Sequence, residues 1–270
     1  MFIKEIKDAL WSMKPYKALG PDGLYAGFFQ IFWFLIGDSV IREVERVFTT
    51  KKVPNFLHKT LIVLIPKIQD PETLGNYRPI SLCNTVYNII TKLIVTQIRS
   101  HLDNIISPYQ IAFISRRRGT DNIVIAQELI HSMGRAKERT GYMAIKIDLE
   151  KAYDKIEWAF IREMLIEFNF PDNIVYLIMS CVSSVSTSLL FNEGCLESFL
   201  PSRGIRQGDP LSPYLFILSM EYLGYLIEEK CEAKLWSPIK ASRSGPAFSH
   251  FFLRMTFSFL LRQIKIIAMP

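Results

Sequence analysis

Two short stretches of this chain combine residue types that could bind a metal ion and a phosphorylated ligand. In the first, Asp148 closes the alternating segment YMAIKID, and Leu149 follows it. A carboxylate at the end of a rigid strand is a recurrent Mg²⁺ ligand, so Asp148 is a candidate metal ligand and the Leu149 carbonyl a candidate second oxygen. An aspartate after a strand also serves as a helix cap or turn residue, and spacing alone leaves both interpretations open.

Aromatic and amide side chains near these stretches could contact a nucleotide. Tyr153 comes five residues after Asp148, where an aromatic ring could pack beneath a sugar and exclude a 2′-hydroxyl. The second stretch, RGIRQGDPLSP, begins at Arg203 and contains Gln207 and Gly208. Glycines let backbone approach a ligand, arginines bind phosphates with two hydrogen bonds, and a glutamine amide can follow a base or sugar edge. The same pattern also describes a tight loop that binds nothing.

The surrounding sequence predicts a mixture of helices and strands that would position these groups. Residues 1–60 are mainly helical in pattern around a KALGPDG loop, and QDPETLGNYRP is a polar connection. The apolar run at residues 24–36 predicts a buried helix that is too short to span a bilayer. We predict strands at 61–65 and 142–149, a hairpin at 189–199, and helices at 82–102, 121–133 and 212 to about 229.

The charge distribution argues only weakly for a polyanionic partner. The 270 residues carry a formal net charge of +6, but six of the 32 basic residues and none of the 26 acidic ones follow Glu232. Residues 1–232 are therefore neutral, and the excess belongs to the final segment. The same segment contains no aspartate, and the last aspartate of the chain is Asp209.

Cysteine spacing and the N-terminus restrict the cellular setting. The four cysteines are scattered without a CxxC or Cys–His cluster, which favours free thiols over a zinc site or a disulfide framework. MFIKEIKDALWSMK is amphipathic and does not resemble a signal peptide. We expect an intracellular, reducing compartment, nucleus or cytoplasm, with no membrane insertion.

Six strings occur in a fixed order between residue 14 and about residue 250: KALGPDGL, LIPK, NYRPISLCN, SPYQIAFISRRRGTDNI, AIKIDLEKAYDKIEW and RGIRQGDPLSPYLF. Together they resemble the reverse transcriptase domain of plant non-LTR (LINE-type) retrotransposons. The resemblance implies an α+β right-hand polymerase, with fingers over residues 1–140, an incomplete palm over 141–252 and no thumb. It also implies Mg²⁺, deoxynucleoside triphosphates, and an RNA template with a DNA primer. Group II intron maturases are a further related family, but the LCN and GDPLSPYLF strings of this chain are more similar to the LINE pattern than to the maturase pattern.

The resemblance assigns roles to individual residues. Asp148 matches the first metal-binding aspartate, and Tyr153 matches the aromatic residue that gates the sugar. Gln207 and Gly208 match the turn that positions the nucleotide and template. Three basic residues match finger positions that approach the triphosphate or template, with solvated surface charge as the alternative: Arg78, Arg117 and Lys67. Departures from the family pattern are Leu19 in place of proline, which loosens a finger loop, and Arg116 in place of glycine, which adds bulk beside Arg117.

The second half of the metal site is missing from the sequence. The family has Ala-Asp-Asp after the stretch that matches SGPAFSHFF, whereas this chain continues LRMTFSFLL. One aspartate does not offset the repulsion of two divalent ions about 4 Å apart, so we expect this chain to be inactive. Three glutamates on the helix after the turn are expected to be solvated surface charges: Glu221, Glu228 and Glu229.

The final segment has a specific explanation at the level of codons. An arginine codon ending in G, then ATG and ACN, encodes Arg254, Met255 and Thr256, and one frame over it contains GAT GAC, which is Asp-Asp. We therefore expect residues 253–270 to be a frameshifted tail that ends in a premature stop. Four phenylalanines on or beside this tail would lack a place to pack and would favour aggregation: Phe251, Phe252, Phe257 and Phe259. The alternatives are an active enzyme and a retained, non-catalytic RNA-binding or scaffold module.

Overall fold

The computed structural model of the chain describes residues 3–107, 110, 119–135, 142–192, 194–240, 245–253 and 256–262. In this part of the chain the helices are α1 (Ile3–Trp11), α2 (Ala26–Ile31), α3 (Trp33–Thr50), α4 (Asn55–His58), α5 (Thr85–Ile105), α6 (Gly119–Arg135), α7 (Ala152–Lys155), α8 (Trp158–Glu167), α9 (Asp172–Ser183) and α10 (Ser212–Glu232). The strands are β1 (Lys59–Pro66), β2 (Tyr77–Cys83), β3 (Tyr142–Asp148), β4 (Ser186–Phe191), β5 (Gly194–Cys195), β6 (Ile239–Lys240), β7 (Ala247–Phe248), β8 (His250–Leu253) and β9 (Thr256–Arg262). The mixed helix and sheet composition expected from the sequence is confirmed.

The chain forms two compact units, each assembled from two separate segments. The first unit contains residues 1–101 and 153–215, and the second contains residues 102–152 and 216–270. Asp148 therefore belongs to the second unit, whereas Tyr153, Gln207 and Gly208 belong to the first.

The first unit is built on a sheet with the strand order β2-β1-β4-β5. β1 runs antiparallel to β2 and parallel to β4, with Lys59 opposite Ser186. β4 and β5 form the predicted hairpin, which turns after Asn192, a residue with a φ of 46° that asparagine tolerates well. The predicted hairpin and the predicted strand at 61–65 are thus confirmed.

Strand β2 corrects the prediction of a polar connection that ends at Pro79. Tyr77–Cys83 pairs with β1 along its whole length, from Pro66 opposite Tyr77 to Thr60 opposite Cys83. Proline lacks a backbone donor and is tolerated at the edge of a sheet, where one side of the strand needs no ladder partner. Because β2 is an edge strand, Pro79 does not interrupt the sheet.

Helices pack the core of the first unit with apolar residues at helical spacing. In α5, the residues that are at most 2% exposed include Ile89, Ile90, Leu93 and Ile94. The predicted buried helix at residues 24–36 is wrong in part, because the chain starts a new helix at Trp33 and side chains on both sides of this break are solvated. Those side chains are Ile31, Phe34 and Leu35, at 58%, 79% and 68% exposure.

No helix in the described ranges combines the length and the apolar character that crossing a membrane requires.

The second unit contains an antiparallel sheet with the order β3-β9-β8. β9 pairs with β3 across seven residues, from Tyr142 opposite Arg262 to Asp148 opposite Thr256. Helix α6 contributes Leu129 to a buried cluster with Ile239 and Phe251.

This packing corrects the expectation that the phenylalanines near the tail have nowhere to pack. Phe251 is 0% exposed and Phe252 is 1% exposed, and the Phe251 ring stacks on Phe248 with 5.2 Å between centroids. Residues 256–262 form a paired strand in spite of their predicted frameshifted origin. The side chains of Phe257 and Phe259 lie outside the part of the chain that the structure describes.

Candidate active site

The Gly-rich segment RGIRQGD forms a turn, called here the Arg203–Asp209 turn, whose first arm contacts the backbone of α7 and of the residue that follows it. The Gly204 amide donates to the Ile156 carbonyl at 2.8 Å, and the Ile205 amide donates to the Tyr153 carbonyl at 2.8 Å. The Trp158 indole Nε1 donates to the Gly204 carbonyl at 2.8 Å. Gly204 has a φ of 92°, a backbone angle that residues other than glycine rarely adopt. This arm fixes the turn to the segment that carries Tyr153.

The second arm of the turn contacts the edge strand β2. The Ser81 amide donates to the Gln207 carbonyl at 2.7 Å. Gly208 follows with a φ of 123°, and a Cβ atom there would lie 2.6 Å from the Ser81 carbonyl oxygen. The backbone thus approaches β2 too closely for any residue except glycine.

The turn ends at the start of α10. Asp209 Oδ1 accepts a hydrogen bond from the Leu211 amide at 2.9 Å, which satisfies a backbone donor just before the helix. The helix begins at Ser212, the residue that the sequence predicted as its N-cap, one position before the predicted first helical residue Pro213. The sequence GDPLSP therefore fixes the turn on its C-terminal side as well.

The predicted nucleotide-contacting residues of the first unit meet at this turn. Tyr153 is 7% exposed, and burial raises the pKa of its phenol to about 12. Gln207 is half-buried and Gly208 is exposed. Backbone hydrogen bonds connect the Tyr153 segment, the turn and β2, so three separate parts of the sequence form one framework.

The predicted basic contacts are less closely tied to the turn. Arg78 is exposed on β2, opposite Ile65. Lys67 is exposed, and its Nζ donates to the Gly75 carbonyl at 3.0 Å, which bridges the connection between β1 and β2. Arg117, together with Arg116, lies outside the described residues. The phosphate-binding roles of these side chains remain predictions.

A cavity of about 310 Å³ lies against the turn. Gln207 and Ile205 line it from the turn, and Trp158, Val185 and Phe199 supply apolar walls. A largely apolar cavity with a few polar groups at one side is typical of a small-molecule site. The first unit thus contains a concave space beside the predicted nucleotide-contacting residues.

The donor set around Asp148 does not fit a two-ion centre. Asp148 is exposed at the end of β3, and Leu149 follows it outside the strand. Among the described residues, no group of three or more His, Cys, Asp or Glu side chains could hold a metal ion. The strand partner of Asp148 is Thr256, and the connection between β8 and β9 reads Arg254-Met255 in the sequence. Neither of these two side chains supplies an anionic oxygen.

The sequence did not reveal a buried ion pair inside the turn. Arg206 Nη2 lies 3.1 Å from Asp209 Oδ2, with the two side chains 10% and 4% exposed. The Tyr87 hydroxyl donates to the same Asp209 oxygen at 2.8 Å and also contacts Arg206 Nη2. Burial opposes the Arg206 charge, but Tyr87, Cys83 and Asp209 together raise the pKa of Arg206 above its usual value. Arg206 is therefore a charged residue whose hydrogen bonds stabilise the folded turn.

One glutamate of α10 also differs from its predicted role as a solvated charge. Glu221 is 1% exposed, and its carboxylate accepts from the Ser107 amide at 2.9 Å and from the Ser107 hydroxyl at 3.3 Å. The Ser107 donors compensate for lost hydration, so this carboxylate anchors the end of α5 to α10 within the second unit. Glu229, in contrast, is exposed, as predicted.

A family comparison identifies the domain to which these features belong. Residues 65–243 match the model of the family described as reverse transcriptase (RNA-dependent DNA polymerase). The chain belongs to the reverse transcriptase family. The matched range contains β2, β3 and the Arg203–Asp209 turn, so the reverse transcriptase match includes parts of both units.

Two curated relatives of this chain are named as proteins of transposable elements, and a third is an uncharacterized mitochondrial protein. A transposon TX1 protein of Xenopus laevis is 29% identical over 219 residues, which cover 81% of this chain and 17% of that protein. A retrovirus-related Pol polyprotein from a type-2 retrotransposable element of Drosophila melanogaster is 27% identical over 200 residues, which cover 74% of this chain and 18% of that protein. An uncharacterized mitochondrial protein of Arabidopsis thaliana is 50% identical over 50 residues, which cover 18% of this chain and 41% of that protein. The chain thus spans less than a fifth of the first two relatives.

Proposed function

We propose that this chain is the reverse transcriptase domain of a plant non-LTR (LINE-type) retrotransposon and is inactive in nucleotidyl transfer. The family match and the retrotransposable relatives support the lineage. The ordered strings from KALGPDGL to RGIRQGDPLSPYLF support the LINE type and the right-hand arrangement of fingers and palm. The ancestral reaction would copy an RNA template from a DNA primer with deoxynucleoside triphosphates.

The register of the second unit is the observation that carries the inactivity. Leu253 pairs with Thr256, and Thr256 also pairs with Asp148. Residues 254 and 255 therefore stand in the chain where a second pair of carboxylates would adjoin the first aspartate. The sequence has arginine and methionine there.

Charge explains why Asp148 alone is insufficient. Two divalent ions about 4 Å apart repel each other strongly, and enzymes that use two ions surround them with several anionic oxygens. Asp148 and the Leu149 carbonyl provide one negative charge between them. In the sequence, position 254 is an arginine, which adds no ligand for Mg²⁺.

A one-base frameshift near codon 252 would account for this replacement. Suitable codons for Phe252 to Thr256 read Phe-Ala-Asp-Asp one frame over. Sequencing the locus across codons 245 to 270 tests this origin, and a locus without GAT GAC in the alternative frame contradicts it.

Activity and metal binding of paired variants test the proposed inactivity. The unmodified chain should not incorporate dTTP on poly(rA)·oligo(dT) with Mg²⁺. Arg254→Asp/Met255→Asp should bind Mn²⁺, measured by electron paramagnetic resonance, and adding Asp148→Ala should abolish that binding. Arg254→Asn/Met255→Asn is the matched uncharged control. Incorporation by the unmodified chain that disappears with Asp148→Ala would show that it is an active polymerase.

Retained RNA binding without polymerisation is the second candidate function. The observation in its favour is that buried contacts hold the Arg203–Asp209 turn without any contribution from the missing carboxylates. An RNA affinity that falls steeply with salt would support this function. A Kd for RNA above the micromolar range at 50 mM salt, that is, weaker binding, would count against this function.

A further inference from the structure

Arg206 is the centre of a buried polar group in the first unit, called here the Arg206 cluster: Arg206, Asp209, Tyr87, Thr60 and the Cys181 carbonyl. Arg206 Nη1 donates to Thr60 Oγ1 at 3.2 Å, and Nη2 donates to the Cys181 carbonyl at 2.8 Å. The guanidinium carbon lies 4.2 Å from the centroid of the Tyr87 ring. The cluster therefore joins the turn to β1, α5 and α9 at once.

The partners of Arg206 are as buried as the arginine itself. Tyr87 is 0% exposed, Thr60 is 2% exposed and Asp209 is 5% exposed. A charge in such surroundings is stable only when its hydrogen-bonding groups are matched, and losing one partner leaves the others unsatisfied. The interactions of Arg206 are consequently interdependent.

The location of the cluster gives it control over the turn. Arg206 immediately precedes Gln207, whose carbonyl accepts from the Ser81 amide, and Asp209 holds the Leu211 amide at the other side. Among the described strands β2 lies at the sheet edge, and on that side the Ser81 amide donates to the turn in place of a ladder partner. Movement of residue 206 would therefore disturb the adjoining contact between Gln207 and Ser81.

We propose that Arg206 is a positioning residue that holds Gln207 and Gly208 against β2 for nucleotide binding. This inference rests on the nucleotide-binding role proposed for the turn. In this proposal Arg206 acts through Asp209 and Tyr87, although it also lines the cavity beside the turn. The planar guanidinium reaches several partners in fixed directions, whereas a lysine ammonium is a point charge on a flexible stem.

Amide hydrogen exchange of Arg206→Lys tests the positioning role. The Ser81 amide should exchange at least tenfold faster, relative to amides of the β1–β2 ladder such as Val63, which pairs with Ile80, because the turn leaves β2. Tyr87→Phe keeps the charge and the ring but removes the hydroxyl, and it should give a smaller increase in the same ratio.

Asn84→Ala is the matched control for general destabilisation. Asn84 is 3% exposed, and its side chain accepts from the Asp22 amide and donates to the Phe56 carbonyl. Its loss should accelerate exchange without changing the ratio of Ser81 to ladder amides. A ratio in Arg206→Lys that equals the ratio in the unmodified chain would overturn the proposal.

A binding measurement separates this inference from the proposed function. The probe is fluorescein-labelled dTTP, whose binding to the complex of the chain with unlabelled poly(rA)·oligo(dT) is followed by fluorescence anisotropy. Gln207→Ala should weaken dTTP binding at least fivefold and leave the Ser81 amide protected from hydrogen exchange. Arg206→Lys should weaken dTTP binding and also remove the protection of the Ser81 amide.

Two other outcomes distinguish a failure of the positioning role of Arg206 from a failure of the nucleotide-binding role of the turn. Weaker dTTP binding by Arg206→Lys with Ser81 protection intact would mean direct ligand contact and would overturn the positioning role. Loss of Ser81 protection in Arg206→Lys, with equal dTTP binding by Gln207→Ala and the unmodified chain, would remove the nucleotide role of the turn. That second result would still support Arg206 as the residue that holds the turn.

Discussion

At the residue scale, Gly208 shows how closely the turn approaches β2. Its φ of 123° lies in a region that disfavours side chains, and a Cβ would be 2.6 Å from the Ser81 carbonyl oxygen. Backbone atoms cannot move aside as the end of a flexible side chain can. The requirement for glycine is therefore both conformational and steric.

Substituting Gly208 should destabilise the first unit. We expect Gly208→Ala to lower the free energy of unfolding by about 2 kcal/mol or more, because strain and overlap both act at this position. Gly75→Ala is the control, since its nearest neighbour would be Thr73 Oγ1 at 3.7 Å. Urea unfolding measures both variants, and equal stabilities would contradict the close contact.

His58 makes the first unit sensitive to acid. Its Nε2 lies 2.7 Å from the Val53 carbonyl and donates to it, while the buried Nδ1 has no partner among the described residues. Burial, with a further contribution from the Arg206 charge, lowers the pKa of His58 to about 4. The unfolded chain, with a histidine pKa near 6.5, binds the proton more readily than the folded chain.

Stability should fall as the pH drops from about 6.5 to about 4, because only the unfolded state gains the proton in that window. We expect His58→Gln, which keeps the donor to Val53, to reduce this loss by about 1 to 3 kcal/mol. The exposed His101→Gln is the control. Urea unfolding at pH 7 and pH 4.5 measures the effect, and parallel pH profiles for all three proteins would contradict it.

At the element scale, the β8–β9 hairpin converts an unexpected sequence into an ordered part of the second unit. β9 pairs fully with β3, and β8 supplies Phe251 and Phe252 to the interior. Backbone pairing and a few well-placed apolar side chains are sufficient for a strand. The hairpin thus persists where the sequence departs from the family.

Removing the Phe251 side chain should therefore destabilise the second unit. We expect Phe251→Ala to cost about 3 to 5 kcal/mol, because it leaves a cavity beside Leu129 and Ile239. Phe34→Ala is the matched control at 79% exposure and should change stability by less than about 0.5 kcal/mol. If both variants unfold at the same urea concentration, the hairpin does not pack as described.

Local patterns predicted the elements well and missed contacts between distant residues. Alternation predicted β3, and the Ser-Pro pair predicted the start of α10, because both signals act within a few residues. Strand β2 was missed because Pro79 is acceptable only at a sheet edge, which is a property of the whole sheet. At the candidate site, residue types made Gln207 and Gly208 candidates, and the resemblance assigned their role. The Arg206 cluster was not, since Tyr87 and Cys181 lie far away in sequence.

At the scale of the whole molecule, an exposed sheet edge should govern solubility. β3 is an edge strand of the second unit, and Met143 and Ile145 on it are 41% and 37% exposed. Unpaired backbone beside apolar side chains is a template for association. The predicted tendency to aggregate therefore has a definite location.

A charge on this edge should reduce association. We expect Met143→Lys to raise the concentration at which light scattering appears by at least twofold, without a change in the urea midpoint. Leu74→Lys adds the same charge at a 79% exposed position outside any strand. Equal improvement by both variants would indicate an effect of net charge and would rule out the β3 edge as the cause.

The parallel pairing of β1 with β4 has a consequence for biosynthesis. Lys59 meets Ser186, so translation at 5 to 20 residues per second separates the two strands by roughly 6 to 25 s. During that interval the ribosome also produces residues 102–152, which belong to the other unit. Until β4 emerges, β1 has only β2 beside it, and its second edge stays open to solvent. A ribosome that stalls before codon 186 therefore displays an unfinished sheet to the chaperones and proteases around it.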